Sequence, residues 1–81
     1  EAVVYLKNSS TEKVSLGKTV KRVILLNCTS ADQVKLDIAP LSGKMKAVAY
    51  KPNWTQAGEP IGVQDGKVSC TVPQGGALVL E

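Results

Sequence analysis

Val34, Leu36 and Ile38 alternate with Lys35 and Asp37, and Val68, Cys70 and Val72 alternate with Ser69 and Thr71. An apolar period of two puts one side-chain set on one face of an extended strand, whereas an amphipathic helix repeats about every 3.6 residues. Val14 and Leu16 carry the same alternation, and no stretch sustains the helical period. Ser30-Ala31-Asp32-Gln33 imitates a helix capping box, but the alternation that follows it decides for a strand.

Turn residues set the limits of these strands. Asp65-Gly66 stands between two extended runs, and a type I′ hairpin turn needs positive φ at both central positions. The spacing predicts a strand through Gly62, a tight turn, and a second strand over Lys67–Val72. Pro73-Gln74-Gly75-Gly76 breaks the chain, and Ala77-Leu78-Val79-Leu80-Glu81 is a third apolar strand, expected to be fixed within a sheet. Upstream, strands are expected at Ala2–Leu6, Glu12–Leu16, Val20–Asn27, Val34–Ile38 and Met45–Tyr50, with Val20–Asn27 central. The segment from Lys51 to Pro60, with two prolines and a glycine, is the longest irregular stretch.

Short strands at this spacing indicate one all-β domain over residues 1–81, an antiparallel two-sheet β-sandwich of about seven or eight strands. Its expected core is Val4, Leu6, Val14, Leu16, Ile24, Leu26, Val34, Leu36, Ile38, Val68, Cys70, Val72, Leu78 and Leu80. A five-stranded OB-type barrel is the competing architecture. It accounts less well for the number of strand-length runs and for the lack of a helix between the third and fourth strands.

Composition narrows the function classes. The net charge is +3, but Arg22 is the only arginine and the nine lysines are scattered, which suits solvated faces and protected edges better than nucleic-acid recognition. The chain has no histidine, and its seven acids fall on expected outward faces, in loops and near the termini, Glu12 and Asp37 among the outward ones. No acid–base pair, metal-ligand spacing or Gly-rich phosphate loop emerges, so no enzyme activity, metal or cofactor is expected. No apolar run approaches the roughly 18 residues of a membrane helix. Cys28 and Cys70 suit either plain core packing or one disulfide; a bridge would place the chain outside the reducing cytoplasm.

Two strands are apolar on both sides. With Val4, Leu6, Ile24 and Leu26 turned inward, Val3, Tyr5, Val23 and Leu25 form an outer patch that requires a second cover. The cover is either the Trp54 loop folded across the patch or another domain or subunit docked on it; the remaining alternative is that the assumed strand register is wrong. Tyr50 and Trp54 are the candidate ligand-loop aromatics; Trp54 either plugs one end of the sandwich or serves as a carbohydrate platform. All three asparagines, Asn8, Asn27 and Asn53, sit in N-x-S/T sequons, which are glycan acceptors in a eukaryotic secreted protein and ordinary turn chemistry otherwise.

Tyr50-Lys51-Pro52-Asn53-Trp54, Gly58-Glu59-Pro60, Asp65-Gly66-Lys67-Val68, Val72-Pro73 and the closing Ala77-Leu78-Val79-Leu80-Glu81 form a pattern together with the opening Tyr5-Leu6-Lys7-Asn8. It resembles the C-terminal β-sandwich domain that closes many glycoside hydrolase chains after the catalytic barrel. The resemblance implies a non-catalytic accessory or terminal domain, or a fragment of a longer chain, outside the cytoplasm, which packs on a catalytic or neighbouring domain and stabilises it. The catalytic carboxylates of that family lie in the barrel, so no catalytic residue carries over. A stand-alone carbohydrate- or cell-surface-binding module is the second reading, and an OB-like nucleic-acid binder the third.

Overall fold

The computed structural model describes residues 1–30 and 33–81. Asp32, expected in a loop, and the side chain of Val34, expected in the core, lie outside the described residues. The strands are β1 (Ala2–Leu6), β2 (Thr11–Ser15), β3 (Val23–Asn27), β4 (Gln33–Ala39), β5 (Lys46–Tyr50), β6 (Ile61–Gly62), β7 (Val68–Pro73) and β8 (Ala77–Leu80). There is no helix among the described residues. One sheet has five strands in the order β1-β3-β8-β5-β6, the other three in the order β2-β4-β7. The all-β, two-sheet expectation is met, but both sheets are mixed: β1 pairs β3 in parallel, and β2 pairs β4 in parallel.

Parallel pairing follows from the path of the chain. β1 to β4 alternate between the two sheets, reversing direction at each crossing, so a strand returns to its own sheet two elements later in the same direction. The polar Lys7–Ser10 segment crosses between the sheets instead of turning back as a hairpin within one. The Asp65-Gly66 turn forms as expected, with φ of 53° and 76°, and Gln64 and Lys67 exchange both backbone hydrogen bonds across it at 3.0 and 3.1 Å. Its entering strand, however, belongs elsewhere. β6 pairs β5 in the five-stranded sheet while β7 pairs β4 in the other, so this turn hands the chain from one sheet to the other. β8 lies between β3 and β5 and is the middle strand of its sheet, the place expected for Val20–Asn27.

The core is Leu6, Val23, Leu25, Leu36, Ile38, Leu41, Met45, Ala47, Val68, Cys70, Val72, Leu78 and Leu80. Compared with the expectation, β3 is turned over. Val23 and Leu25 are fully buried, and Ile24 and Leu26 are half-exposed on the other face. The cause is Asn27, buried at the end of the strand. Its Nδ2 donates to the carbonyls of Val72 at 2.9 Å and Pro73 at 3.1 Å, and its Oδ1 accepts from the Thr29 amide and hydroxyl. With Asn27 held inside, period two forces Leu25 and Val23 inside as well. Glu12 is also reversed, since it shares the parity of Val14; its Oε1 accepts from the amides of Lys7 at 2.9 Å and Asn8 at 3.1 Å.

Truncating Leu25 to alanine is expected to cost about 2–5 kcal/mol in urea denaturation, the range for a buried leucine. Ile24→Ala, one residue away on the open face, is expected to cost roughly 1 kcal/mol or less. Equal losses at the two positions would show that both faces of β3 are packed. Asn27→Ala leaves buried carbonyls without a donor and is expected to cost about 1–3 kcal/mol, with Asn8→Ala near neutral by the same measurement.

Candidate functional site: the outer face of the five-stranded sheet

The outer faces of the two sheets differ in chemistry. On the three-stranded sheet, Lys13 pairs Asp37 and Asp37 pairs Ser69, while Thr11 pairs Lys35 and Lys35 pairs Thr71. These exposed residues form an ordinary solvated face around an open depression lined by Lys13, Ser15, Asp37 and Lys67. The five-stranded sheet has no such rows at its centre. Val3, Ile24, Val79 and Val48 run across it in register, and Tyr5, Leu26, Ala77 and Tyr50 form the next row. Val3 and Tyr5 are 51% and 59% exposed, and Ile24, Leu26, Val48, Tyr50 and Val79 are intermediate.

The patch expected from sequence is therefore real in place but not in membership. Of Val3, Tyr5, Val23 and Leu25, the structure puts the first two on the open face and the last two in the core. Ile24 and Leu26 take the vacated positions, with Val48, Tyr50 and Val79 from strands that sequence reasoning did not assign to this surface. Val48 and Tyr50 share parity on β5, a signal obscured by the alanines at 47 and 49.

Tyr50 and Trp54 do come together. Their ring centroids are 5.6 Å apart with a 52° tilt, within the range of an aromatic contact. Trp54 is 61% exposed, so it does not plug the sandwich. The loop that presents it is tightly closed: the Trp54 amide donates to the Lys51 carbonyl at 2.8 Å, Lys51 to Thr55 at 2.9 Å, and the Thr55 amide to Asn53 Oδ1 at 3.0 Å. These bonds hold Trp54 at φ 64°, a left-handed conformation costing a non-glycine residue about 1–2 kcal/mol. The loop lies at one corner of the outer face, where Ala77 is buried beside it. With Leu26, Gly75, Gly76 and Ala77 it encloses a cleft of about 50 Å³ at one corner. Gly76 is indispensable to that corner, because a Cβ there would collide with the Tyr50 carbonyl.

At the opposite end of the face, Arg22 reaches Glu1 and Glu81, each at 3.2 Å, and so links the ends of β1 and β8 beside the start of β3. These exposed pairs fix geometry more than they add stability, at about 0–1 kcal/mol each.

The cysteines are not bridged. Cys28 is exposed just beyond β3, while Cys70 is buried in β7, paired with Leu36. Burial pushes the Cys70 thiol up to about 11, with a smaller contribution from the negative charge of Asp37. A raised value means that the folded state holds its proton where the unfolded chain releases it. This contribution to stability is complete below the unfolded value of 9.0 and is lost as pH rises from there through about 11. A thiol reagent at pH 8 is expected to modify Cys28 alone in the folded protein and both cysteines in denaturant. Rapid modification of both under native conditions would place Cys70 at the surface.

Comparison of the chain with protein-family models, curated proteins and solved structures returns no match.

Proposed function

We propose that the chain is a non-catalytic accessory β-sandwich domain whose five-stranded sheet packs against a neighbouring domain and stabilises it, as the resemblance to terminal domains of glycoside hydrolases implies. The observation that carries this reading is the asymmetry of the two outer faces. The three-stranded sheet presents Lys13, Lys35, Asp37, Ser69 and Thr71 to water, whereas the five-stranded sheet presents two rows of apolar side chains. Rows of this kind on a small domain mark an interaction surface, and covering them removes apolar area from water at about 25 cal/mol per Å². The partner is a catalytic or other domain, in the same chain or a separate subunit.

A carbohydrate-binding role is the second reading, favoured by the exposed Trp54 ring beside Tyr50. Polar groups of the loop stand next to the rings, and an aromatic platform with a polar rim suits a sugar.

One pair of measurements separates the two. Replacing Ile24 and Val79 together by threonine keeps strand propensity while making the centre of the face polar. The isolated domain is expected to keep its melting temperature within about 4–8 °C, the shift of a change near 1 kcal/mol. Joined to the domain that adjoins it in its own gene, the same variant is expected to lower the melting temperature of that neighbour. No effect on the neighbour removes the docking reading. Titration with oligosaccharides while following Trp54 fluorescence then decides the second: a saturable shift supports it, and unchanged emission removes it.

A further inference from the structure

The five-stranded sheet has an open edge at β1, and it differs from the other three edges of the molecule. β2, at the edge of the other sheet, carries Glu12 and Lys13; β7 ends in Pro73; and β6 is only two residues long, preceded by Pro60. Charges, proline and short length are the usual means by which an edge strand avoids pairing with another chain. β1 has none of them: Ala2-Val3-Val4-Tyr5-Leu6 is five uncharged residues.

The amide of Ala2 donates to the Arg22 carbonyl at 2.9 Å, so Ala2, Val4 and Leu6 direct their backbone groups toward β3. Alternate residues of a strand point their amides to opposite sides, and Val3 and Tyr5 therefore aim N–H and C=O at the open edge. The next odd residue, Lys7, donates its amide to Glu12 Oε1, which closes the edge at that end.

We propose that this edge takes a second copy of the chain, with β1 pairing β1 antiparallel about a two-fold axis at Val4. An isologous contact must be self-complementary, and this register is. Only odd residues have outward backbone groups, so odd must face odd. With Val4 opposite Val4, Val3 faces Tyr5 of the other copy twice, giving four backbone hydrogen bonds. The same two pairs put a β-branched side chain beside an aromatic one on the outer face, a favourable cross-strand combination. One step further out, Glu1 of each copy meets Lys7 of the other, opposite charges at both ends. The ammonium of Lys7 has no ion pair among the described residues. Shifting the register by two residues in either direction loses both Val3–Tyr5 pairings and both Glu1–Lys7 pairs. The product is one continuous ten-stranded sheet. This inference rests on the edge of the sheet and not on the docking reading, which concerns its face.

Sedimentation equilibrium over a range of concentrations is expected to show a monomer–dimer equilibrium that depends on the parity of β1. Val3→Pro or Tyr5→Pro removes an outward amide, used twice in the dimer, without touching the ladder to β3, and proline is tolerated at such edge positions. Either is expected to raise the dissociation constant at least roughly tenfold. Glu1→Lys and Lys7→Glu should each weaken the dimer, and the two together in one chain should restore it. If the proline variants misfold, Val4→Cys in a Cys28→Ser background gives an independent test. Residue 4 then faces itself across the axis, and oxidation should yield a disulfide-linked dimer, whereas Tyr5→Cys in the same background should not. A chain that stays monomeric at every concentration overturns the proposal. So does a dimer that survives the proline variants but is lost with Ile24→Lys, because that association uses the face.

Discussion

The Asn27 carboxamide is the interaction on which the rest of this fold depends. It ends β3 in one sheet and binds two successive carbonyls, those of Val72 and Pro73, at the end of β7 in the other. Its backbone serves the same junction, since the Asn27 amide donates to Gly76 and its carbonyl accepts from Gly75. One residue thus fixes the spacing between the sheets and the turn by which the chain leaves β7 and enters β8. A buried amide left without partners costs more than a made hydrogen bond gains, so this residue must be inside with its partners or outside altogether. Being inside, it decides which side of β3 faces the core.

That decision propagates through register. β3 pairs β1 on one side and β8 on the other, so the parity of Asn27 sets a row of inward residues across three strands. Val4, Leu25 and Leu78 stand in line on the inner face, and Tyr5, Leu26 and Ala77 on the outer. A one-residue slip would exchange the two sets. Because both sets are apolar, the slip would cost little in transfer free energy, and the hydrogen bonds of Asn27 supply the discrimination that hydrophobicity does not. The apolar outer face is the consequence: the sheet has two hydrophobic sides, and the three-stranded sheet covers only one.

Legibility in the sequence divides along the same line. β2, β4 and β7 alternate apolar with polar residues, and the inward positions Leu36, Ile38, Val68, Cys70 and Val72 were all readable from pattern alone. The Asp65-Gly66 turn was readable because its positive φ values restrict the residue types that fit. β3 was not readable, since Val23-Ile24-Leu25-Leu26 is apolar at every position and gives no phase; the polar residue that settles it points inward, against the usual preference. The parallel pairings and the separation of β6 from β7 were hidden for another reason. Local pattern identifies strands but says nothing about which sheet receives them when a turn crosses between layers. Tyr50 and Trp54 were legible as a pair, but the exposure of Trp54 depends on a left-handed backbone held by Lys51, Asn53 and Thr55, which few sequence rules anticipate.

The same division locates the surfaces on which the proposed contacts fall. The three-stranded sheet is solvated outside, packed inside and bounded by edges that carry a charge pair or a proline. The five-stranded sheet holds the apolar rows, the exposed rings and, among the described residues, the one edge free of charge, proline and truncation. Its features also differ in what they select. A flat apolar face selects area and shape, and tolerates many partners of suitable outline. An open edge selects backbone direction and register, and here the alternation of amides along β1 admits far fewer solutions. Under the proposed contacts, specificity comes from main-chain geometry at β1 and from the hydrogen-bonded loop at Trp54, with the sheet face between them supplying affinity.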